Sequence, residues 1–526
     1  MKPYELSLLW QHVEKWAAVK PDAEALVLGN RRITWAGFRD AADRAAKAML
    51  DAGIEKGDRV AMIAMACPEF LVTFMAASKI GAIWLGLSPK YSLDELRYQF
   101  HDAQPALVFS VDRFQDVDYR ERIRILTDEF PCVQRVVFLN GQNRSEDGYA
   151  VFTGASREHL NEALARRAAT VHPQDETLLM YTSGSTGKPK GVLHTHRSIL
   201  ANVAVELRHF GFDENTRALL HFPINHVAAD VEIGFTTIYG GGCIVLMDRF
   251  EAQGSLEVIE RERISVVGQV PVMFLLQFQA PRFPEMDWSH VQAFVWSGSA
   301  APEVMLDVLS IISERTGARL ITGYGSTELC GFCTYSAPHD GRQLLAKAAG
   351  RIVPPFEMRV VDEKRSPLPP GETGEIAVRG EIVMKGYLNN PGATAEVLDT
   401  QGWYYTGDVG YLDAEGCLFL TGHRSEMFKT GGENVYPREI EDVLERHPAV
   451  LFAAVLGVPD ELYSEAGYAF LMLKPGQTVT ENALQAYCKD RLANFKVPKH
   501  FELRPELPLL PSGKVNKIAL RKEIGL

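Results

Sequence analysis

Strand-length apolar runs that alternate with helix-length segments constrain this chain more than any other feature. RVAMIAM at Arg59 is followed by a helical stretch from Glu69, GAIWLGL at Gly81, a second helical stretch from Leu93 and ALVFSV at Ala106. The alternation resumes with RALLHFP at Arg217, GCIVLM at Gly242, ISVVGQV at Ile264, VQAFVWS at Val291 and ARLITGY at Ala318. Continuous apolar strands with helices between them pair in parallel and are covered on both faces. The expected architecture is α/β and doubly wound, with functional loops beyond the strand ends.

Past about Met358 the texture changes. Short β-rich pieces (MRVVD, EIAVRG, CLFLTG) are separated by the turn clusters LPPGETG at Leu368 and DAEG at Asp413, as in a small antiparallel sheet or barrel. Near Gly422 it changes again. YPREIEDVLERH places Pro437 at a helix start with Ile440, Val443 and Leu444 on one face, and AVLFAAVLGVP reads as a buried strand. The expected fold is therefore α/β: a large N-terminal domain, residues 1–422, of doubly wound sheets plus a small β-barrel, and a small α+β C-terminal domain, residues 423–526. A chain of 526 residues, 46% of them hydrophobic, has the length and the apolar content for these parts.

Charge and targeting signals narrow the class. A net charge of −12 argues against a broad nucleic-acid surface, which needs clustered Lys and Arg. MKPYELSLLW lacks the parts of a signal peptide, and the most apolar region, Val60 to Leu87, is broken by Glu69 and Lys79, so no membrane span is expected and the chain reads as cytoplasmic. Seven scattered cysteines suit reduced thiols. CGFC at Cys330 has the spacing of a redox pair, but it lacks the second pair that a structural zinc site needs. His194 and His196 share a metal-like spacing without a third ligand nearby, and no metal is read there.

Candidate chemistry concentrates in TSGSTGKPKG, from Thr182 to Gly191. Small residues let backbone N–H groups of Gly184 and Gly187 converge on one point. Ser183, Ser185 and Thr186 add hydroxyls, while Lys188 and Lys190 add charge. That combination suits an anion, above all a polyphosphate. The GxxxxGK[ST] loop does not fit, because position 182 is Thr and Pro189 follows Lys188. Elsewhere, Tyr324 is an aromatic face for a base or an ordinary buried ring, Glu328 beside Thr327 a cation ligand or a solvated charge, and Asp408 a hydroxyl acceptor or a turn-forming residue.

YTSGSTGKPKG, GYGSTE at Gly323, YTGD at Tyr405, GGENVYPREIE at Gly431 and PSGKVNK at Pro511 stand in the order of the motifs of the adenylate-forming superfamily. The chain resembles that superfamily, and its acyl-CoA synthetases in particular, from about Thr34 to Lys517. The resemblance implies an ATP-dependent acid:CoA ligase that activates a carboxylic acid as acyl-AMP, releases pyrophosphate and then forms the acyl-CoA thioester. The alternative it leaves is a stand-alone adenylation enzyme loading an acid or amino acid onto a carrier protein. Implied cofactors are ATP, Mg²⁺ and coenzyme A.

Residue by residue, the resemblance implies catalytic roles for Lys514, Thr186 and Glu328. It implies ATP contacts at Thr182 to Lys188, Ser299, Ala300, Gly323, Tyr324, Gly325, Ser326, Thr327, Asp408, His423 and Lys514, with metal at Glu328 and Thr327. SGSAAP at Ser297 resembles the small-residue turn under the adenine. His226, Gly298 and Gly323 would line the acyl pocket, and Lys429, Gly431 and Gly432 the CoA path. A mobile C-terminal domain would turn about a hinge at Ser425. One departure stands out: the family's usual Gly-Arg before the hinge is Gly422-His423 here, with Arg424 next, and histidine does not carry a permanent charge. FKTGGENVYPRE leans toward aryl, alicyclic or medium-chain acids, and a monomer or homodimer is expected.

Overall fold

The computed structural model describes residues 6–139, 147–182, 189–298, 301–430, 433–460, 462–509 and 515–526. The chain divides into two compact units. One comprises most of the chain up to Ala346 together with Arg379–Gly402, and the other comprises Lys347–Val378 and Trp403–Leu526.

In the first unit every expected strand from Arg59 to Tyr324 forms, and the strands sort into two seven-stranded sheets. One sheet runs Gly386–Tyr387, Lys190–Thr195, Glu176–Thr182, Ile83–Leu87, Arg59–Ile63, Leu107–Ser110, Arg135–Phe138. It is parallel from Glu176–Thr182 onward, and the first two strands pair antiparallel. The other runs Arg319–Thr322, Ala293–Trp296, Val266–Gln269, Arg217–Leu220, Cys243–Leu246, Glu24–Leu28, Arg31–Thr34, parallel except for the last pair. The N-terminal strand Glu24–Leu28 joins beside Cys243–Leu246, a long-range pairing that local pattern does not reveal.

The connecting helices have local causes. Helix Pro68–Ile80 starts on a proline at its first turn and stops at Gly81, which takes the left-handed conformation (φ +75°). Helix Leu93–Ala103 opens with a reciprocal cap between Ser92 and Glu95. Lys79 is 8% exposed, and its ammonium pairs with Asp43 (2.6 Å) and Glu14 (2.7 Å), so the charge within the apolar stretch is structural. Among the described residues, no helix is long and apolar enough to cross a membrane.

In the second unit the β-rich segment, expected as a small sheet or barrel, resolves to a four-stranded sheet: Glu357–Val361, Gly374–Arg379, Trp403–Leu412, Leu418–His423. The last hundred residues form a five-stranded sheet in which Glu433–Val435, Phe428–Thr430, Ser464–Leu473 and Val450–Asp460 pair antiparallel in that order and His500–Arg504 pairs in parallel with Ser464–Leu473. Helix Pro437–Glu445 buries Ile440 and Leu444 completely, as its apolar spacing requires, against Val450, Val455 and Phe428.

Candidate functional site

The strand ends of the first unit carry the expected loops. Thr182 and Lys190 are register partners in an antiparallel pair, so both ends of the glycine-rich loop are fixed on the sheet. Tyr98 Oη donates to Pro189 O at 2.7 Å, and the Lys190 ammonium stands 4.9 Å from the centre of the Tyr387 ring. Ser183, Gly184, Ser185, Thr186, Gly187 and Lys188 lie outside the described residues, as do Ser299, Ala300, Gly431, Gly432 and Lys514.

The neighbouring parallel strands Ala293–Trp296 and Arg319–Thr322 end in two turns that are tied together, with Ser297 Oγ donating to Gly323 O at 3.1 Å. Gly298 adopts φ +89°. A Cβ on Gly323 would lie 2.1 Å from Thr334 O, so no larger residue fits there. Tyr324 is buried at 6% exposure, and its N–H donates to Thr334 Oγ1 at 2.8 Å.

Beyond it, Gly325–Ser326 and Gly331–Phe332 pair as a short antiparallel hairpin around the turn Thr327–Leu329. Glu328 Oε1 accepts from Tyr387 Oη at 3.1 Å, and Glu328 O accepts from Met384 N at 2.8 Å. Lys190, Tyr387 and Glu328 therefore form a continuous line from the end of the loop to the carboxylate. Thr327 O takes a hydrogen bond from His194 Nε2 at 2.7 Å. Burial lowers His194 to about 4, so the ring is neutral and donates from Nε2. His196 is buried too, and its Nδ1 accepts from Leu9 N at 3.2 Å. The two histidines serve different parts of the fold. No group of three metal-binding side chains occurs among the described residues.

These residues fit a nucleotide and its metal. The Ser326 hydroxyl is buried with no hydrogen-bond partner among the described residues, an orphan that a ligand can satisfy. Glu328 and the Thr327 hydroxyl supply oxygen donors, and a cation held by one or two protein oxygens with phosphate and water for the rest is the habit of Mg²⁺.

His226 opens the segment that enters the wide helical turn Ala228–Phe235. Its Nδ1 accepts from Ala228 N at 3.1 Å, and its ring lies parallel to Phe222 with centroids 6.3 Å apart. Both CGFC thiols are fully buried and free, and burial raises them, which is the opposite of an activated redox thiol.

In the second unit Asp408 and His423 are register partners on adjacent strands. His423 Nδ1 accepts from Ser425 N at 3.1 Å and lies 2.7 Å from Ser425 Oγ. A Cβ on Gly407 would come within 2.9 Å of His423 Nε2, so the turn before Asp408 needs glycine. Arg424, the next residue along, pairs with Glu375 at 3.4 Å and donates its backbone N–H to Gly407 O at 2.7 Å. Lys429 is exposed, and its backbone N donates to Glu465 Oε2 at 2.8 Å.

Sequence reasoning missed Tyr387, Asn202 and Glu206, and it gave His194 no role. Tyr387 has no local signal, since a two-residue strand far along the chain delivers it. The spacing His194, Ser198, Asn202, Glu206 is a legible signal: polar residues at every fourth position from a strand end into a largely apolar helix.

The family model of the AMP-binding enzymes matches residues 13–388, and that of the AMP-binding enzyme C-terminal domain matches residues 439–514. The chain is 30% identical over 535 residues to a putative acyl-CoA synthetase, YngI, of Bacillus subtilis (98% of this chain, 97% of the relative). It is 31% identical to the indoleacetate–CoA ligase of Aromatoleum aromaticum, covering 98% of each. Its fold is similar to the amide bond synthetase McbA of Marinactinospora thermotolerans, with a TM-score of 0.85, 28% identity and coverage of 98% and 99%.

Proposed function

The chain belongs to the family of AMP-binding enzymes, and from that premise we propose that it is an ATP-dependent acid:CoA ligase. The observation that carries the site assignment is the line Lys190, Tyr387, Glu328, which ties the end of the glycine-rich loop to the hairpin of Tyr324 to Glu328. A carboxylate is a poor acyl donor because oxide is a poor leaving group. In the first step one oxygen of the substrate carboxylate attacks the α-phosphorus of ATP. The bond from that phosphorus to the bridging oxygen breaks, and pyrophosphate leaves from the loop Thr182 to Lys190.

Two anions approach one another in this step, and the positive charge of Lys514 offsets them. Glu328 and Thr327 would hold Mg²⁺, which would supply further positive charge there. Tyr324, Ser299 and Ala300 receive the base, and Asp408 and His423 the ribose. In the second step the CoA thiolate attacks the acyl carbonyl and AMP departs. Residues 423–526 act as a mobile domain about Ser425, presenting Lys514 for the first step and Lys429, Gly431 and Gly432 for the second. His226, Gly298 and Gly323 line the acid pocket. Similarity to the indoleacetate enzyme supports an aryl, alicyclic or medium-chain acid. Free thiols at all seven cysteines support a cytoplasmic location.

The test is pyrophosphate release from ATP and Mg²⁺ across aromatic, alicyclic, fatty and amino acids, with and without CoA. The reading expects release with at least one acid and a CoA thioester as product. Release with no CoA consumed would transfer the acyl group to a carrier protein or an amine instead. No release with any acid would contradict the activity.

A further inference from the structure

His194, Ser198, Asn202 and Glu206 lie at four-residue spacing along the strand end and the helix His196–Glu206, and each is at most 3% exposed. Four buried polar side chains need partners, because an unpaired polar group in the interior costs more than an apolar one. They find partners in each other and in one stretch of backbone. Within the row, His194 Nδ1 is 3.3 Å from Ser198 Oγ, and Asn202 Nδ2 donates to Glu206 Oε1 at 3.2 Å. Away from it, His194 reaches Thr327 O, Asn202 Nδ2 donates to Cys330 O at 2.7 Å, and Glu206 Oε1 accepts from Phe332 N at 3.3 Å. The turn and the second arm of the hairpin are thus held from the strand end at His194 and from the helix that follows it.

The backbone held in this way is not a relaxed one. Cys330 takes φ +61° although it carries a side chain, and Gly331 takes φ +120°. A Cβ on Gly331 would lie 2.7 Å from both Asn202 Nδ2 and Glu206 Oε1, so the helix side chains are in close contact with the hairpin turn.

The other oxygen of Glu206 faces Thr236 Oγ1 at 2.8 Å, and that hydroxyl is also 3.2 Å from Val231 O. Thr236 has one proton and two acceptors in reach. A protonated Glu206 resolves the shortage: its O–H donates to Thr236, and Thr236 donates to Val231. The groups around Glu206 favour the same form. Glu232 approaches from the wide helical turn, with its Cγ 3.1 Å from where a Cβ of Gly331 would be, and Asp230, Cys330 and Tyr335 also face this cluster. Asp230 has both carboxylate oxygens unpartnered among the described residues. Burial raises Glu206 to about 8.

We propose that Asn202 and Glu206 are positioning residues for ATP binding, holding the hairpin Gly325 to Phe332 and with it Thr327 and Glu328, and that Glu206 does this as the neutral acid. The proposal rests on the nucleotide reading of that hairpin. It also explains an acidic side chain at the end of a buried helix face, where ionisation would leave an uncompensated charge.

ATP affinity, read from the ATP- and Mg²⁺-induced rise in melting temperature between pH 6.5 and 9.5, tests it on wild type, E206Q, E206A and N202A. E206A and N202A are expected to bind ATP about tenfold more weakly at pH 7, the effect of losing one or two buried hydrogen bonds. E206Q, an isostere of the neutral acid, recovers the affinity that E206A loses. Wild type weakens above about pH 8, and E206Q does not. E206Q as weak as E206A at pH 7, or an alkaline fall identical in wild type and E206Q, would overturn the proposal. ATP-induced stabilisation without pyrophosphate release from any acid would count against the ligase reading alone, and no stabilisation of wild type at any pH would overturn both.

Discussion

The two regions assigned to the nucleotide are held in opposite ways. The hairpin Gly325 to Phe332 is braced by buried hydrogen bonds among neutral groups, and glycines stand where no Cβ fits. Asp408 and His423 are half-buried, and the ion pair beside them reaches solvent on its arginine side: Arg424, 64% exposed, meets Glu375 at 3.4 Å. Buried neutral contacts fix geometry and respond to pH when one partner ionises. Exposed ion pairs contribute little and respond to salt. A site needs the first kind where atoms must be placed to fractions of an ångström. The second kind suits a place that charge alone must serve.

The largest effect expected on the charge side is that of Lys514→Ala. It is expected to lower acid-dependent pyrophosphate release by roughly 10²–10³ while ATP binding persists, and unchanged release would remove Lys514 from its assigned part. On the braced side, Gly331→Val is expected to cost about 3 kcal/mol of stability by urea unfolding, since it combines a left-handed backbone with a collision against Asn202 and Glu206. Gly416→Ala is its control in the second unit: φ is +75° but open space surrounds the added methyl, so only about 1 kcal/mol is expected. Equal costs at the two positions would dissolve the contrast.

Stability against pH sharpens the comparison further. Glu206 stands near 8 in the folded chain against an ordinary 4.5. Between those values the folded protein keeps a proton that the unfolded chain releases. Its contribution is therefore fully present below about pH 4.5, falls as pH rises through the window and levels off above about 8. E206Q should make the fall shallower by one proton, about 1.4 kcal/mol per pH unit at most, measured by urea unfolding at pH 5, 6.5 and 8. The smallest effect is that of Arg424→Ala, which should change stability by under about 1 kcal/mol and by still less at high salt. A salt-insensitive loss of several kcal/mol would place that pair with the braced region instead.

Much of this was legible in the amino-acid sequence because the signals are local. Each apolar run became a strand, Pro437 opened its helix, and the order of the motifs led to the family. What the pattern could not give is how distant pieces meet. The strands Arg59–Ile63 and Arg217–Leu220 read alike, yet they enter different sheets. Tyr387 reaches Glu328 only because Gly386–Tyr387 adds to the edge of Lys190–Thr195, a pairing across almost two hundred residues. The row from His194 to Glu206 was visible as a spacing, but its meaning depended on which backbone it would face. CGFC had a plausible spacing and no matching environment, since burial raises both thiols.

The central claim is that a substrate carboxylate takes the place of pyrophosphate on the α-phosphorus before the thiol attacks. Isotope transfer tests it most directly: with the acid that supports turnover, labelled with ¹⁸O in its carboxylate, and CoA present, the AMP product is analysed by mass spectrometry. The two-step route predicts one ¹⁸O in each AMP, because the bridging oxygen of the acyl-adenylate leaves with the phosphate. AMP free of label, with the ¹⁸O recovered in water or inorganic phosphate, would contradict it.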